Sequence, residues 1–152
     1  MSSARRSSRQ AALQVLYAAD LSGRGEGGPS PERVDAAFEA IGDHFELREG
    51  ARAYAKELVT GVARHRAEID ALLAAHATHW RVERMPAVDR NLLRLAVYEM
   101  AWGGTPASVA IDEAIELARR FGSDRSSAFA NGVLDAIGRT LAAQAPPAEE
   151  GS

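Results

Sequence analysis

Apolar residues recur along the chain at intervals of three and four, the spacing that places them on one face of an α-helix. The first such segment covers 4–21 and is followed by a glycine-rich break at 23–28. Its main apolar row consists of Ala12, Val15, Leu16 and Ala19. A second row on the adjacent face consists of Leu13, Tyr17 and Leu21. The pattern predicts a first helix with two apolar faces.

Turn and capping residues predict where the next helices begin and end. Ser30 is a suitable N-cap and Pro31 suits a first helical position, so a second helix is expected to begin there. It is expected to end near Gly42. Helical periodicity then continues over 47–77. This stretch predicts either two helices or one helix bent at Gly61.

The remaining segments predict a central helix and two C-terminal helices. Pro86 precedes the string AVDRNLLRLAVYEM, whose wide apolar arc predicts burial on more than one side. In VAIDEAIELARRFG, over 109–122, acids occupy the first turns, arginines occupy the last, and Gly122 supplies the C′ residue. Ser123 or Asp124 is expected to cap the last helix.

Composition favours helix over strand throughout the chain. Alanine is abundant, aromatic residues make up 6%, and β-branched residues are thinly scattered, so we predict an all-α fold. The absence of cysteine excludes disulfides and thiolate chemistry. No apolar run approaches the roughly 18 to 20 residues that span a bilayer. We therefore expect a cytoplasmic protein that does not enter membranes.

The N-terminal segment is the first candidate for nucleic-acid binding. Although the net charge is −3, Arg5, Arg6 and Arg9 all precede the first acid, Asp20. Guanidinium groups suit phosphate oxygens and stack on unpaired bases. The alternative is a solvated, frayed terminus, for which basic residues are ordinary.

Two aromatic-bearing surfaces admit both a binding and a packing interpretation. Phe129 lies near Arg125 and Asn131, which is a plausible platform for stacking a base. The alternative makes Phe129 the first core residue of the last helix. The second apolar row of the first helix, with Tyr17 and Leu21, suits either a partner interface or burial between two helices.

Enzymatic readings find little support in the sequence. His76 and His79 are three apart, but no coherent third metal ligand accompanies them. Asp112 and Glu116 lie on a solvent face, where Glu116 can pair with Arg120. No nucleophile elbow, P-loop, dinucleotide fingerprint or zinc-protease motif is present. We therefore predict no catalysis, no cofactor and no metal.

Three strings, in this order and spacing, give the chain a specific resemblance. They are RQAALQVLYAADL near the start, AVDRNLLRLAVYEM in the middle, and VAIDEAIELARRFG with FANGVLD near the end. Together they resemble the NusB-type transcription antitermination factors over about 5–137. The resemblance implies about seven helices in two small bundles, near 4–78 and 82–142, in a domain spanning 1–142. A disordered tail is expected over 143–152.

The resemblance also implies partners and a function. Members of this family bind the boxA element of single-stranded RNA together with NusE, a small ribosomal-subunit protein. The pair joins an RNA polymerase antitermination complex with other Nus factors and promotes processive transcription of ribosomal RNA. No catalysis is implied.

Carried over position by position, the resemblance assigns two sets of site residues. The RNA-binding set is Arg5, Arg6, Arg9, Asp124, Arg125, Phe129 and Asn131. The protein-partner set is Tyr17, Leu21, Glu83 and Asp89. The chain departs from the family at two basic positions, now Ser7 and Ser8, at an acidic position, now Arg125, and at an aromatic position, now Glu68.

Two other readings compete with a free-standing antitermination factor. One is a helical interaction module that forms a homodimer through the row with Tyr17 and Leu21 and binds no RNA. The other is the NusB-like module of an RNA cytosine methyltransferase. Such enzymes need a second, larger cofactor-binding domain with a glycine-rich loop, which we do not expect here.

Overall fold

The computed structural model describes residues 3–22, 28–77 and 81–144. These ranges contain helices and turns but no strand, which confirms the all-α prediction. The α-helices are α1 Ser3–Ser22, α2 Pro31–Ile41, α3 Glu49–Arg64, α4 Arg66–His76, α5 Ala87–Ala101, α6 Ala107–Phe121 and α7 Ser126–Gln144. Two short 3₁₀ helices cover Gly42–Phe45 and Val82–Arg84.

α5 lies at the centre of the packing. It contacts α1, α3, α4, α6 and α7, while α1 packs on α2 and α3, and α6 packs on α7. Every residue of 91–99 is buried, as the wide apolar arc predicts. α4 packs mainly on α5 and α7, although the bundles expected from sequence group it with the N-terminal helices.

The break between α3 and α4 lies at His65, not at Gly61 as one alternative proposed. Gly61 has a different role, since a Cβ there would lie 2.2 Å from the Tyr98 ring. The residue is small because α5 approaches closely at this point. Tyr98 in turn contributes to the packing between α3 and α5.

The capping predictions are met at one helix and not at another. The Ser30 hydroxyl accepts a hydrogen bond from the Arg33 amide at 3.2 Å, which confirms the N-cap of α2. Gly122 has an extended backbone (φ −94°, ψ −169°) rather than the left-handed conformation of a C′ glycine. A Cβ there would lie 2.6 Å from Ser126, so close approach explains this glycine.

The end of α7 and two of the sequence predictions fall at the limits of the described residues. α7 ends at Gln144, two residues into the tail expected from sequence, and 145–152 lie outside the described residues. His79 also lies outside them. Among the described helices, none is both long and apolar enough to cross a bilayer.

Candidate functional site

Arg9 is buried inside the protein and does not face solvent. Arg9 is 1% exposed, and its guanidinium donates from Nε and Nη2 to the two Glu99 carboxylate oxygens, at 2.8 and 2.7 Å. Burial acts to lower the pKa of Arg9, but the hydrogen bond and charge of Glu99 outweigh it and raise that pKa. Arg9 therefore ties α1 to α5, contrary to the expectation that it contacts RNA.

The Glu99 carboxylate accepts hydrogen bonds from three parts of the chain: α1, α3 and the segment between α5 and α6. Besides Arg9, it accepts hydrogen bonds from the Tyr54 hydroxyl at 2.9 Å and from Thr105 Oγ1 at 3.0 Å. Burial, followed by the charge of Glu99, raises the pKa of Tyr54. The cluster fixes the start of α1, α3 and the end of α5 relative to one another.

Arg6 remains at the surface between α1 and α6. Its guanidinium donates to both oxygens of the buried Glu113, at 3.0 and 3.2 Å, while its side chain is 50% exposed. The hydrogen bond with Glu113, followed by the charge of that residue, raises the pKa of Arg6. Arg5 is exposed and lies over the Tyr54 ring, 4.5 Å from its centroid. Both arginines are held at the surface by neighbouring side chains.

The start of α7 carries the other predicted RNA residues. Asp124 and Arg125 are exposed in the turn before the helix, and Asn131 is exposed on it. Phe129 is half-buried and packs against the core, so part of its ring is used in packing. The turn is shaped by Ser126, whose Oγ accepts from the Ser123 amide at 2.8 Å. α7 begins at Ser126 itself, which corrects the cap expected at Ser123 or Asp124.

α6 connects these two predicted RNA regions and adds a residue that the sequence reasoning missed. Arg120 follows Glu113 by seven residues, or two turns, so the two share a face about 10 Å apart. Glu113 holds Arg6, and the exposed Arg120 lies further along α6, near the end of the helix that precedes α7. From sequence, Arg120 was interpreted only as a basic residue that complements the dipole of α6. The neighbouring Arg119 pairs with Glu116 at 2.8 Å, so Glu116 does not pair with Arg120 as expected.

The second apolar row of α1 is divided between core and surface. Leu13 is buried, whereas Tyr17 is 38% and Leu21 is 47% exposed. Burial between helices therefore holds for Leu13, and the interface alternative stays a prediction for the other two residues. Tyr17 and Leu21 are the exposed part that a partner can reach.

Buried polar contacts join this part of α1 to the start of α5. Asp20 accepts hydrogen bonds from Arg90, Asn91 and Arg94. Burial alone would raise the pKa of Asp20, but the hydrogen bonds from Arg90 and Asn91 and the charge of Arg94 outweigh it and lower that pKa. Arg90 also donates to the Glu83 carbonyl at 3.4 Å. Glu83 is exposed, and its backbone carbonyl shares Arg90 with Asp20, the residue before Leu21.

Asp89 lies beside these residues but uses its carboxylate internally. It is 8% exposed, and Oδ1 accepts a hydrogen bond from Ser126 Oγ at 2.8 Å. This contact joins the start of α5 to the start of α7. Asp89 therefore lies between the predicted partner residues and the predicted RNA residues.

The histidine and carboxylate candidates have structural partners. His76 contacts the Leu72 carbonyl and Thr140 Oγ1, both at 2.8 Å, and so links α4 to α7. Within 3–22, 28–77 and 81–144, no group of three or more potential ligands could hold a metal ion. Glu68, where the family has an aromatic residue, is exposed with Oε2 3.7 Å from His65 Nδ1.

Comparison with known proteins decides the family. The model of the NusB family matches residues 6–139. The chain belongs to the NusB family. NusB-family relatives named "Transcription antitermination protein NusB" include one from Solibacter usitatus, 47% identical over 145 residues and covering 95% of each chain. Another, from Sorangium cellulosum, is 48% identical over 141 residues and covers 91% of this chain and 94% of the relative.

Solved NusB structures share the fold. T. maritima NusB superimposes with a TM-score of 0.79 at 32% identity, covering 91% of this chain and 93% of that one. A structure of the antitermination factors NusB and NusE in complex with dsRNA matches with a TM-score of 0.74 at 31% identity, covering 92% and 99%. These NusB matches confirm the family and the all-helical architecture expected from the three sequence strings.

Proposed function

We propose that this NusB-family protein is a transcription antitermination factor that binds boxA-type single-stranded RNA together with NusE. In this role it joins an RNA polymerase complex with other Nus factors and promotes processive transcription of ribosomal RNA. The relatives named as antitermination proteins, similar over most of their length, support the role. The complex of NusB and NusE with dsRNA supports NusE and RNA as partners.

The RNA part of the proposal rests on which arginines of α1 are buried and which are exposed. Arg9 is buried in an ion pair, whereas Arg5 and Arg6 keep guanidinium groups at the surface. Arg6 is already arranged for bidentate contact with an oxyanion, because it makes one with Glu113. A phosphate can accept hydrogen bonds from the Arg6 guanidinium in place of some of those to Glu113, and α1 need not move. Arg120 extends the cationic surface towards the start of α7.

The start of α7 supplies the base-contacting part of the proposed RNA surface. The half-buried Phe129 offers the exposed part of its ring for contact with a base, and the exposed Asn131 amide offers both donors and an acceptor. Asp124 and Arg125 approach it from the preceding turn. Stacking and hydrogen bonding at this end would supply the sequence preference that phosphate contacts lack.

The proposed NusE surface combines Tyr17, Leu21 and Glu83. Two exposed apolar side chains beside an exposed carboxylate suit a partner with apolar contacts and a basic rim. Asp89 lies at the edge of this surface and holds Ser126, so its part in the proposal is mainly to position α5 against α7. We propose no catalytic activity and no cofactor for this adaptor, and a cytoplasmic location.

RNA titration tests the proposed function against the homodimer that binds no RNA. Anisotropy of a labelled boxA-type RNA and of a scrambled RNA is measured with and without NusE. The proposal expects preferential binding of the boxA sequence, strengthened by NusE. Equal binding of both RNAs, or none, together with a dimer in sedimentation that Leu21→Lys dissociates, would support the homodimer instead.

A further inference from the structure

A cleft of about 410 Å³ opens between the start of α1 and the start of α3. Its lining includes Arg5 and Ser8 of α1, Arg48 just before α3, and Gly50 and Tyr54 of α3. The charged residues among its lining are Arg5 and Arg48, both cations. The cleft lies outside the residues assigned to RNA or NusE, apart from Arg5.

Hydrogen bonds hold the inner wall of the cleft. The Tyr54 hydroxyl donates to Glu99, which anchors the outer end of the ring, and Arg5 lies over the ring, 4.5 Å from its centroid. Ser8 donates to the Ala51 carbonyl at 2.8 Å and so closes the cleft towards the core. A guanidinium on a fixed aromatic ring is a surface on which a nucleobase stacks readily. The cleft therefore presents a stacking face that is ordered in advance.

Arg48 supplies a cation at the opposite rim. Its side chain is exposed, and within the described part of the chain it takes part in no ion pair. It is therefore available for a phosphate, for which a guanidinium is well shaped. A stacking face and a phosphate donor across one cleft match the two parts of a nucleotide.

The direction of the neighbouring arginines connects this cleft to the proposed RNA surface. Consecutive residues on an α-helix point about 100° apart. Arg6 reaches Glu113 on α6, and Arg5 reaches Tyr54 on α3, so the two span the first turn of α1. A strand held at Arg6 would pass over this turn and arrive at the cleft.

We propose that the cleft between α1 and α3 binds one further RNA nucleotide, beyond the segment held by Arg6 and the start of α7. Its base stacks on Arg5 and Tyr54, and its phosphate contacts Arg48. This inference rests on the proposed RNA binding. It assigns a new function to Arg48 and Tyr54, neither of which belongs to the site residues expected from sequence.

Gly50 allows a test that leaves the fold in place. Gly50 lines the cleft, and a Cβ there meets no atom within 4 Å, so a side chain can be added beside the cleft without displacing neighbours. Gly50→Glu places a carboxylate in the cleft, and Gly50→Lys is the matched variant of opposite charge. In the first turn of a helix, glutamate is favoured over lysine by the helix dipole. If the variants acted only by destabilising the fold, Gly50→Lys would bind RNA more weakly than Gly50→Glu. The proposal predicts the opposite order, with Gly50→Glu the weaker binder.

Affinities are measured with a nested set of RNAs that grow one nucleotide at a time from each end of a boxA-type core, in the presence of NusE. The wild type should gain about five-fold or more in affinity at the nucleotide that reaches the cleft, as expected for one stacked base. Gly50→Glu and Arg48→Gln should lose this gain, and Gly50→Lys should keep most of it. Binding of the core RNA should change little in any variant.

Two outcomes separate the possible failures. If the wild type binds the core RNA but no added nucleotide improves affinity, or if Gly50→Glu and Gly50→Lys gain equally, the nucleotide site is refuted while the RNA-binding role stands. If the wild type binds neither the core nor the extended RNAs, the proposed function fails, and the inference fails with it.

Discussion

Arg9 and Arg6 of α1 should respond oppositely to substitution. Arg9→Met removes a guanidinium that makes two short hydrogen bonds to Glu99 in a site where both side chains are at most 3% exposed. Arg6→Met removes an ion pair whose arginine is half exposed. We expect the first change to reduce stability without altering the RNA surface, and the second to weaken RNA binding with little change in stability.

The structure sets the size of the Arg9 effect. Removing one partner of a buried ion pair leaves the other charge uncompensated and costs about 3–5 kcal/mol. Glu99 would retain hydrogen bonds from Tyr54 and Thr105, which favours the lower half of that range. For a chain of this size each kcal/mol shifts the melting temperature by roughly 2–4 °C, so Arg9→Met should melt roughly 6–16 °C lower.

Thermal unfolding by circular dichroism measures the first effect, and RNA anisotropy well below both melting temperatures measures the second. Arg9→Met with Glu99→Gln is the control, because a neutral amide at 99 removes the uncompensated charge and should recover part of the loss. The reasoning is refuted if Arg9→Met melts like the wild type. It is equally refuted if folded Arg9→Met loses as much RNA affinity as Arg6→Met.

Three further predictions concern the junction of α1, α5 and α7. Leu21→Lys should weaken NusE binding at least ten-fold in calorimetric titration, because it places a charge in the apolar part of the proposed surface. Ser126→Ala should lower the free energy of unfolding in urea by about 1–3 kcal/mol, because the buried Asp89 carboxylate loses its hydrogen bond. Asp20→Asn should reduce stability at neutral pH and flatten its decline in acid. The lowered pKa of Asp20 makes the stability that it contributes present at neutral pH and lost as pH falls below the ordinary range of an aspartate.

The NusE prediction has a control within the chain, and each of the three predictions has an outcome that would contradict it. Trp102→Lys changes another exposed apolar residue, just after the far end of α5, and should leave NusE affinity unchanged. If Leu21→Lys and Trp102→Lys behave alike, the partner surface is misplaced. Unchanged unfolding of Ser126→Ala would show that the contact with Asp89 contributes nothing to stability. Parallel acid profiles for wild type and Asp20→Asn would remove Asp20 as the source of the pH dependence.

Helix positions were predictable from sequence because apolar spacing and capping act locally. Ser30 and Pro31 mark the start of α2 without knowledge of any other segment. The role of Gly61 was not predictable from sequence, because it depends on the ring of Tyr98, which lies on another helix more than thirty residues away. Periodicity shows that a glycine lies in a helix but not what approaches it.

The site was predictable in its location and less so in its individual residues. Arg9 lies three and seven residues before Ala12 and Leu16, so the core row continues through it, and this register was a sign of its burial. Sequence alone gave no sign that Glu99 would meet it. Likewise, the link from Asp89 to Ser126 joins two helices whose approach follows from tertiary packing.

The salt dependence of RNA affinity tests most directly the claim that Arg6 of α1 contacts the RNA backbone. Each phosphate contact on single-stranded RNA contributes about 0.7 to the slope of log affinity against log salt concentration. Arg6→Ala should therefore make the slope shallower by about 0.7 while the protein stays folded. A slope equal to that of the wild type would contradict the account.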